Sequence, residues 1–293
     1  MAATRLTSVP VRDKAPRARV RTRLWSLPDL GGCELMRGEF IHHRLESHAH
    51  EGLVLSVIQA GGYRSSTRSR TLTAGPGSIV CYEPEQAFDC SANDSDGWSV
   101  SVFYPGAALL ERAGAEPWLA RRAGTREVIH APALARDLLH LHRTLREETA
   151  QIERETLALG VLRRFARAYL VRRRADRDAP APRHVALVRD HIQANFDRNV
   201  RLCDLEALTG LSSGYIVRSF ARQIGMPPHH YLKMIRVRHA RRMISQGMPL
   251  SEAAQACGFT DQSHMTRNFR AILGTPPGVI RGMVKNVQDS TAR

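Results

Sequence analysis

The chain has no CxxC pair, and its five cysteines (Cys33, Cys81, Cys90, Cys203 and Cys257) are odd in number, which argues against a disulfide scaffold and a zinc ribbon. They read as reduced cytosolic thiols. No apolar run is long enough to span a bilayer: the longest, Leu53 to Ile58, is interrupted by Ser56. The arginine-rich first residues (Arg5, Arg12, Arg17, Arg19, Arg21, Arg23) lack the apolar core of a secretory signal, so a cytoplasmic location is expected. Lysine is scarce too, with Lys14, Lys233 and Lys285 alone, so arginine carries nearly all the positive charge.

Against these absences stand 293 residues, 43 Lys and Arg against 28 Asp and Glu, and a formal net charge of +15. A hydrophobic content of 43% with 24% charged residues is that of a soluble globular chain long enough for two cores. Codon bias can explain arginine over lysine. It does not explain bases over acids, for which a polyanionic partner, nucleic acid first, is the physical reason.

Residues 1–24 read as a basic flexible arm. From Cys33 to Tyr104, short apolar or alternating runs are punctuated by turns such as Gly75-Pro76-Gly77 and Asp94-Ser95-Asp96-Gly97, the texture of a barrel or sandwich. Beyond Pro105 the period becomes helical, with Leu138, Leu141 and Leu145, then Ile152, Leu159, Leu162, Phe165 and Tyr169. These stripes can close the core or pair with a second subunit. Arg172–Pro182 combines charge with X-Pro steps and reads as a linker.

An internal repeat follows. Leu202–Leu211 superposes on Leu250–Phe259 at an offset of 48, and Arg218, Phe220, Gly225, Pro227 and Pro228 meet Arg267, Phe269, Gly274, Pro276 and Pro277 at 49. Each copy has a short helix, a terminating glycine (Gly210, Gly258), then cap residues (Ser212; Thr260 or Asp261) opening a second helix. That is helix-turn-helix grammar, in which the second helix enters the major groove. Pro228–Gln246 reads as one helix between the units. Residues 184–285 hold fourteen Arg and Lys against six Asp and Glu, a net of +8 that favours salt-dependent phosphate binding.

The stretch from His184 to Lys285, with its A-x-x-x-G-F-x-D-Q-S-x-x-x-R-x-F run over Ala254–Phe269, resembles the double helix-turn-helix domain of AraC/XylS-type transcription regulators. The resemblance implies an all-α domain of about seven helices with two recognition helices, from about Ser213 to Arg222 and from about Asp261 to Ile272. By family position Gly214, Val217 and Arg218 face the bases in the first. In the second, Gln262, Ser263, His264 and Arg267 are the base-contact candidates, Gln262 and Arg267 being suited to bidentate readout. Ser213, Tyr215, Arg222 and Thr266 are assigned to the DNA backbone. Ile216, Phe220, Phe259, Met265 and Phe269 read as core, together with Leu202, Leu205, Leu208 and Leu250.

Ser47–Glu51 and Gly75–Pro84 resemble, more weakly, the small cupin barrel with which such regulators bind effectors. Metal-binding cupins add a later histidine to an H-x-H pair, and Phe88 stands near that place, so no metal or other cofactor is assigned. His48 and His50, with Tyr63, Tyr82 and Trp98, are read as an effector pocket; Glu83 is a further candidate.

The expected architecture is multidomain α+β: arm 1–24, cupin-like effector and dimerisation domain 25–174, linker 175–183, DNA-binding domain 184–285 and tail 286–293. The resemblance implies a sequence-specific regulator that is not an enzyme. It would act as a homodimer on promoter DNA in response to a small molecule, engaging RNA polymerase if it activates and no membrane. The alternatives are a cupin metalloenzyme fused to a DNA-binding tail, which needs a full metal shell, and a DNA-repair methyltransferase, which needs an activated cysteine.

Overall fold

A computed structural model describes residues 19–68, 70–94, 96–114, 123–124, 127–147, 149–169, 171–172 and 181–280. Most of the expected linker and the tail lie outside these residues. The N-terminal half is built on strands β1 (Arg19–Leu27), β2 (Cys33–Ile41), β3 (Arg44–His48), β4 (Val54–Gly61), β5 (Tyr63–Thr67), β6 (Thr71–Ala74), β7 (Ile79–Tyr82), β8 (Phe88–Ala92) and β9 (Trp98–Tyr104). After helix α1 (Ala107–Arg112) come two-residue strands β10 (Ala123–Gly124) and β11 (Val128–Ile129), then helices α2 (Pro132–Thr144) and α3 (Gln151–Tyr169). A six-stranded antiparallel sheet runs β1-β2-β9-β4-β7-β11 and a four-stranded one β3-β8-β5-β6.

Strands β4, β7 and β9 at the middle of the larger sheet are buried on both faces along most of their length, which explains why they read as apolar runs rather than strict alternation. Val54, Ile58, Val80, Tyr82, Val100 and Val102 point between the two sheets. Leu55, Val57, Ile79, Cys81 and Phe103 point the other way, onto α1, α2 and α3. Leu138, Leu141, Leu145, Leu162 and Phe165 therefore close this chain's own core. Ile152, at the start of α3, stays 73% exposed.

The expected arm ends sooner than residue 24, because β1 begins at Arg19 and pairs with β2 from Arg19↔Ile41 to Leu27↔Cys33. Val20, Thr22 and Leu24 alternate with Arg19, Arg21 and Arg23, a two-residue period hidden by the density of arginine.

The C-terminal half is helical: α4 (Arg183–Ala194), α5 (Leu202–Thr209), α6 (Ser213–Ile224), α7 (Pro228–Ser245), α8 (Leu250–Ala256) and α9 (Gln262–Leu273), with a further helical turn at 277–280. Val188, Phe220, Met234, Ile244, Met265 and Phe269 share one core. The 18-residue α7, about 27 Å long at 1.5 Å per residue, runs through its middle. Leu205 joins that core, but Leu202 and Leu208 are 46% and 39% exposed, because a helix of two turns has one face to bury. No helix among the described residues is long and apolar enough to cross a membrane.

Candidate functional site

Each recognition helix is set up by the turn before it. Gly210 and Gly258 both adopt φ of +70°, the left-handed end of α5 and α8 that glycine alone reaches without strain. In the second unit Asp261 caps α9, its carboxylate accepting the His264 N–H at 2.6 Å. In the first, Ser212 occupies the cap position without a side-chain bond. The donor at that helix start is satisfied instead by Glu206, seven residues upstream on α5, which accepts the Ser213 N–H at 2.6 Å.

On α6, Gly214, Tyr215, Arg218 and Arg222 are exposed, while Ile216 and Phe220 are buried. The absence of a side chain at Gly214 leaves room for the Arg218 guanidinium, whose Nη1 lies 3.4 Å from where a Cβ would stand. Val217 and Ser213 are half-buried. Tyr215, 43% exposed, has its ring centroid 5.5 Å from that of His184, itself bonded to Ser219 at 3.1 Å.

On α9, Gln262, Ser263, Arg267 and Arg270 are exposed over buried Met265, Phe269 and Ile272. His264 and Thr266 are half-buried: the His264 ring meets Phe259 edge-on at 5.4 Å, and the Thr266 hydroxyl donates to the Gln262 carbonyl at 2.8 Å. Among the described residues no ion pair engages Arg218, Arg222, Arg267 or Arg270. Both helices thus offer exposed guanidiniums on one apolar-backed face, as groove readers require.

In the barrel, His48, His50, Tyr63, Tyr82 and Trp98 come together as one ring-packed cluster. Phe88 is its hub, 4.5 Å from the His48 centroid, 5.9 Å from His50 and 3.6 Å from Tyr82. The Tyr63 hydroxyl lies 2.8 Å from that of Tyr82, which donates to Ser65 at 2.6 Å. Trp98 stacks on Phe40 at 4.7 Å. Burial holds His48 down to about 4 and His50 well below the usual imidazole range, so both are neutral near pH 7. Among the described residues no three of His, Cys, Asp and Glu gather into a metal-binding group. Burial pushes the thiols up, Cys33 to about 11 and Cys90 to about 12, and leaves them un-ionised.

A cavity of about 900 Å³ lies outside this cluster, between the barrel and α7. Glu34, His50, Glu51, Leu53, Glu85 and Tyr104 form one wall; Met234, Val237, Arg238, Arg241 and Arg242 form the other, with Ile272 and Ile280. Of the five pocket candidates only His50 reaches it, and Glu83 does not line it. Ion pairs cross its rim. Arg238 donates to both Glu85 carboxylate oxygens at 3.0 and 3.1 Å and to the Ala49 carbonyl at 2.8 Å. Arg241 pairs with Glu34, and Arg242 with Glu51 at 3.5 Å. Glu85 adopts a left-handed φ of +61°, with its N–H on the His50 carbonyl at 2.8 Å. A non-glycine residue held there by contacts on both sides marks a constrained junction. Nothing local in the sequence signals this cavity or its arginines, since Pro228–Gln246 reads only as one helix between the two units.

A barrel carrying a helical layer, followed by two helix-turn-helix units with exposed arginines on their second helices, defines a two-domain DNA-binding regulator. Two family models match: the AraC-like ligand binding domain over residues 30–162 and a helix-turn-helix domain over 205–283. The uncharacterized HTH-type transcriptional regulator YbfI of Bacillus subtilis is 27% identical over 244 residues, 79% of this chain and 85% of that protein. A probable AraC family transcriptional regulator from Rhodopseudomonas palustris is 31% identical over 36% of this chain and 97% of its own, with a TM-score of 0.33. ToxT from Vibrio cholerae, solved with an unsaturated fatty acid bound, shares the fold at a TM-score of 0.50 and 12% identity, covering 94% of this chain and 99% of that one. The chain belongs to the AraC family of transcription regulators, with an N-terminal ligand-binding domain and a C-terminal helix-turn-helix domain.

Proposed function

We propose that the protein reads promoter DNA through α6 and α9 and is switched by a small anionic effector held between the barrel and α7. Of the expected domain limits, 184–285 serves this reading as it stands, whereas the start of the barrel domain moves from 25 to 19, where β1 begins. Arg218, Gln262, Ser263, His264 and Arg267 are the base-contacting residues, and Ser213, Tyr215, Arg222 and Thr266 hold the backbone. The observation that carries the reading is the exposure of Arg218 and Arg267 without ion-pair partners among the described residues. Gln262 and Ser263 share that exposed face, whereas His264 reaches the groove only after leaving Phe259.

Fluorescence anisotropy on the chain's own upstream duplex and a scrambled one, each at two salt concentrations, tests it. We expect a preference of about a thousandfold or more for the cognate duplex. In Arg267→Ala that preference falls by roughly ten- to a hundredfold, the worth of one bidentate base contact. Equal, steeply salt-dependent binding by both proteins to both duplexes would sink the reading.

The effector reading rests on the cavity's chemistry: apolar residues on both walls and guanidiniums at one rim suit an amphipathic carboxylate. His48, Tyr63, Tyr82 and Trp98 then form the wall behind His50. Such a ligand would compete with Glu34 for Arg241 and so loosen the barrel from α7, the differential contact that coupling to DNA requires. The unsaturated fatty acid seen in ToxT makes oleate a suitable probe. Oleate is expected to raise the melting temperature of the wild type, with affinity reduced about tenfold in Arg241→Ala, the loss of a charged hydrogen bond. An identical shift in both proteins would remove the rim from the site.

The reading also holds that the protein acts in the cytoplasm as a homodimer through the outward face of α3 around Ile152, engaging RNA polymerase if it activates. The reading assigns no enzyme activity: a metalloenzyme would need a third ligand where Phe88 packs, and a methyltransferase an ionisable thiol, whereas burial raises the pKa of Cys33, Cys81 and Cys90.

A further inference from the structure

We propose that the outer face of the barrel carries a second anion site, built from Arg21, Arg23, Arg37, Arg136, Arg143 and Arg146, that binds a compact ligand bearing two linked phosphoryl groups.

The register of β1 on β2 sets Arg23 directly opposite Arg37. Like charges in that position destabilise a sheet, so the pair is a cost that the fold alone does not require. Arg21 lies opposite Glu39, the one carboxylate among the described residues that line the two recesses of this face. From the other side, α2 presents Arg136, His140 and Arg143 with the i, i+4, i+7 spacing of a single helix face. Arg146 follows the helix and is held in place: its Nε donates to the His142 carbonyl at 2.9 Å, and its guanidinium carbon lies 5.1 Å from the Trp25 ring centroid. Its pKa is lowered, first by burial and then by Arg37, with Arg143 and Arg23 adding to the effect and Glu147 opposing it. None of the six arginines forms an ion pair with a described residue.

The space between these groups is concave. One recess of about 470 Å³ lies between α2 and the sheet, where Arg37 meets Gln59 and Ser101. A second, of about 520 Å³, continues along β1 past Trp25 to Pro276 and Val279 of the DNA-binding domain. They share Arg37 and Arg146, which gives two adjoining subsites with two common cations. Each is of the size of a small-molecule site. Guanidinium forks match phosphoryl oxygens bidentately, and two phosphoryl groups neutralise more of six cations than a monoanion can. A second copy of this chain is a poor occupant, because a twofold contact would set arginine against arginine. The interdomain cavity shares no lining residue with either recess, so this site stands or falls apart from the effector reading.

Calorimetric titration of the full-length protein with sodium pyrophosphate, orthophosphate and sodium chloride at matched ionic strength tests the proposal, with Arg37→Gln and Arg146→Gln alongside. Pyrophosphate is expected to bind at least about tenfold more tightly than orthophosphate, and each substitution to weaken it about tenfold or more, the worth of one charge-assisted hydrogen bond. Ligand-free Arg37→Gln is expected to melt no lower than wild type, since the substitution removes the repulsion with Arg23; this shows the variant folded. Unchanged pyrophosphate binding in both variants, or the same response to chloride, would overturn the site. So would a fall in duplex affinity in Arg37→Gln equal to the fall in pyrophosphate affinity, which would make the cleft a DNA-backbone contact.

Discussion

Alanine in place of Gly258 is expected to destabilise the C-terminal domain by about 3 kcal/mol or more, against about 1–2 kcal/mol for the same change at its repeat partner Gly210. Both residues hold φ of +70°, so both substitutions incur the left-handed penalty of an L side chain. At Gly210 the added methyl meets nothing within 4 Å. At Gly258 it would lie 2.4 Å from the Asp197 carbonyl oxygen and 3.0 Å from Arg236 Nη2. That loop has little freedom to retreat, because Arg236 donates to the Phe196 carbonyl at 2.7 Å and the Arg198 carbonyl at 2.8 Å. Urea unfolding of the two variants, followed by far-ultraviolet circular dichroism, checks the difference. Equal losses would mean that the approach of the Asp197 loop to α8 is looser than the structure has it.

The second large effect is a loss of stability on mild acidification. His48 and His142 are buried and held down to about 4 by desolvation, and His50 lies well below its usual range for the same reason. In the unfolded chain each takes up a proton near pH 6.5, so between that pH and about 4 the unfolded state binds more protons. Stability from these groups is therefore complete above pH 6.5 and lost as pH falls through the window, by up to about 3 kcal/mol each for His48 and His142. Their neutral forms are in use: His48 Nδ1 lies 2.7 Å from the Glu46 carbonyl, and His142 Nε2 lies 3.1 Å from that of Met36. Denaturation midpoints at about pH 7, 6 and 5 should fall progressively, with a shallower slope in His142→Gln. A flat profile across that range would show that these imidazoles are hydrated in the folded protein.

Much of the C-terminal half was legible because its signals are local. The offset of 48, the two glycines and the apolar spacing placed α6 and α9 to within two residues of their ends, since each feature acts over a single turn. Where a partner lay further off, the reading slipped. Ser212 was the expected cap, but Glu206 reaches the helix start from the preceding helix. Leu202 and Leu208 share the composition of core residues, yet the crossing of α5 over the domain turns only Leu205 inward. The arginines of β1 hid a strand, because alternation is weak evidence until a neighbour supplies the other half of the ladder.

By itself, the sequence determined that this protein carries two helix-turn-helix units on a strongly basic domain behind a β-rich one, because caps, turns and periodicity are encoded over a few consecutive residues. Only the tertiary structure decided that Phe88 packs against His48 and His50, that Arg238 and Arg241 close a cavity with Glu85 and Glu34, and that Arg23 faces Arg37 across two strands. These pairings join residues separated by 14 to more than 200 positions. Strand register and domain docking set them, and those depend on the burial of whole faces rather than on any local motif.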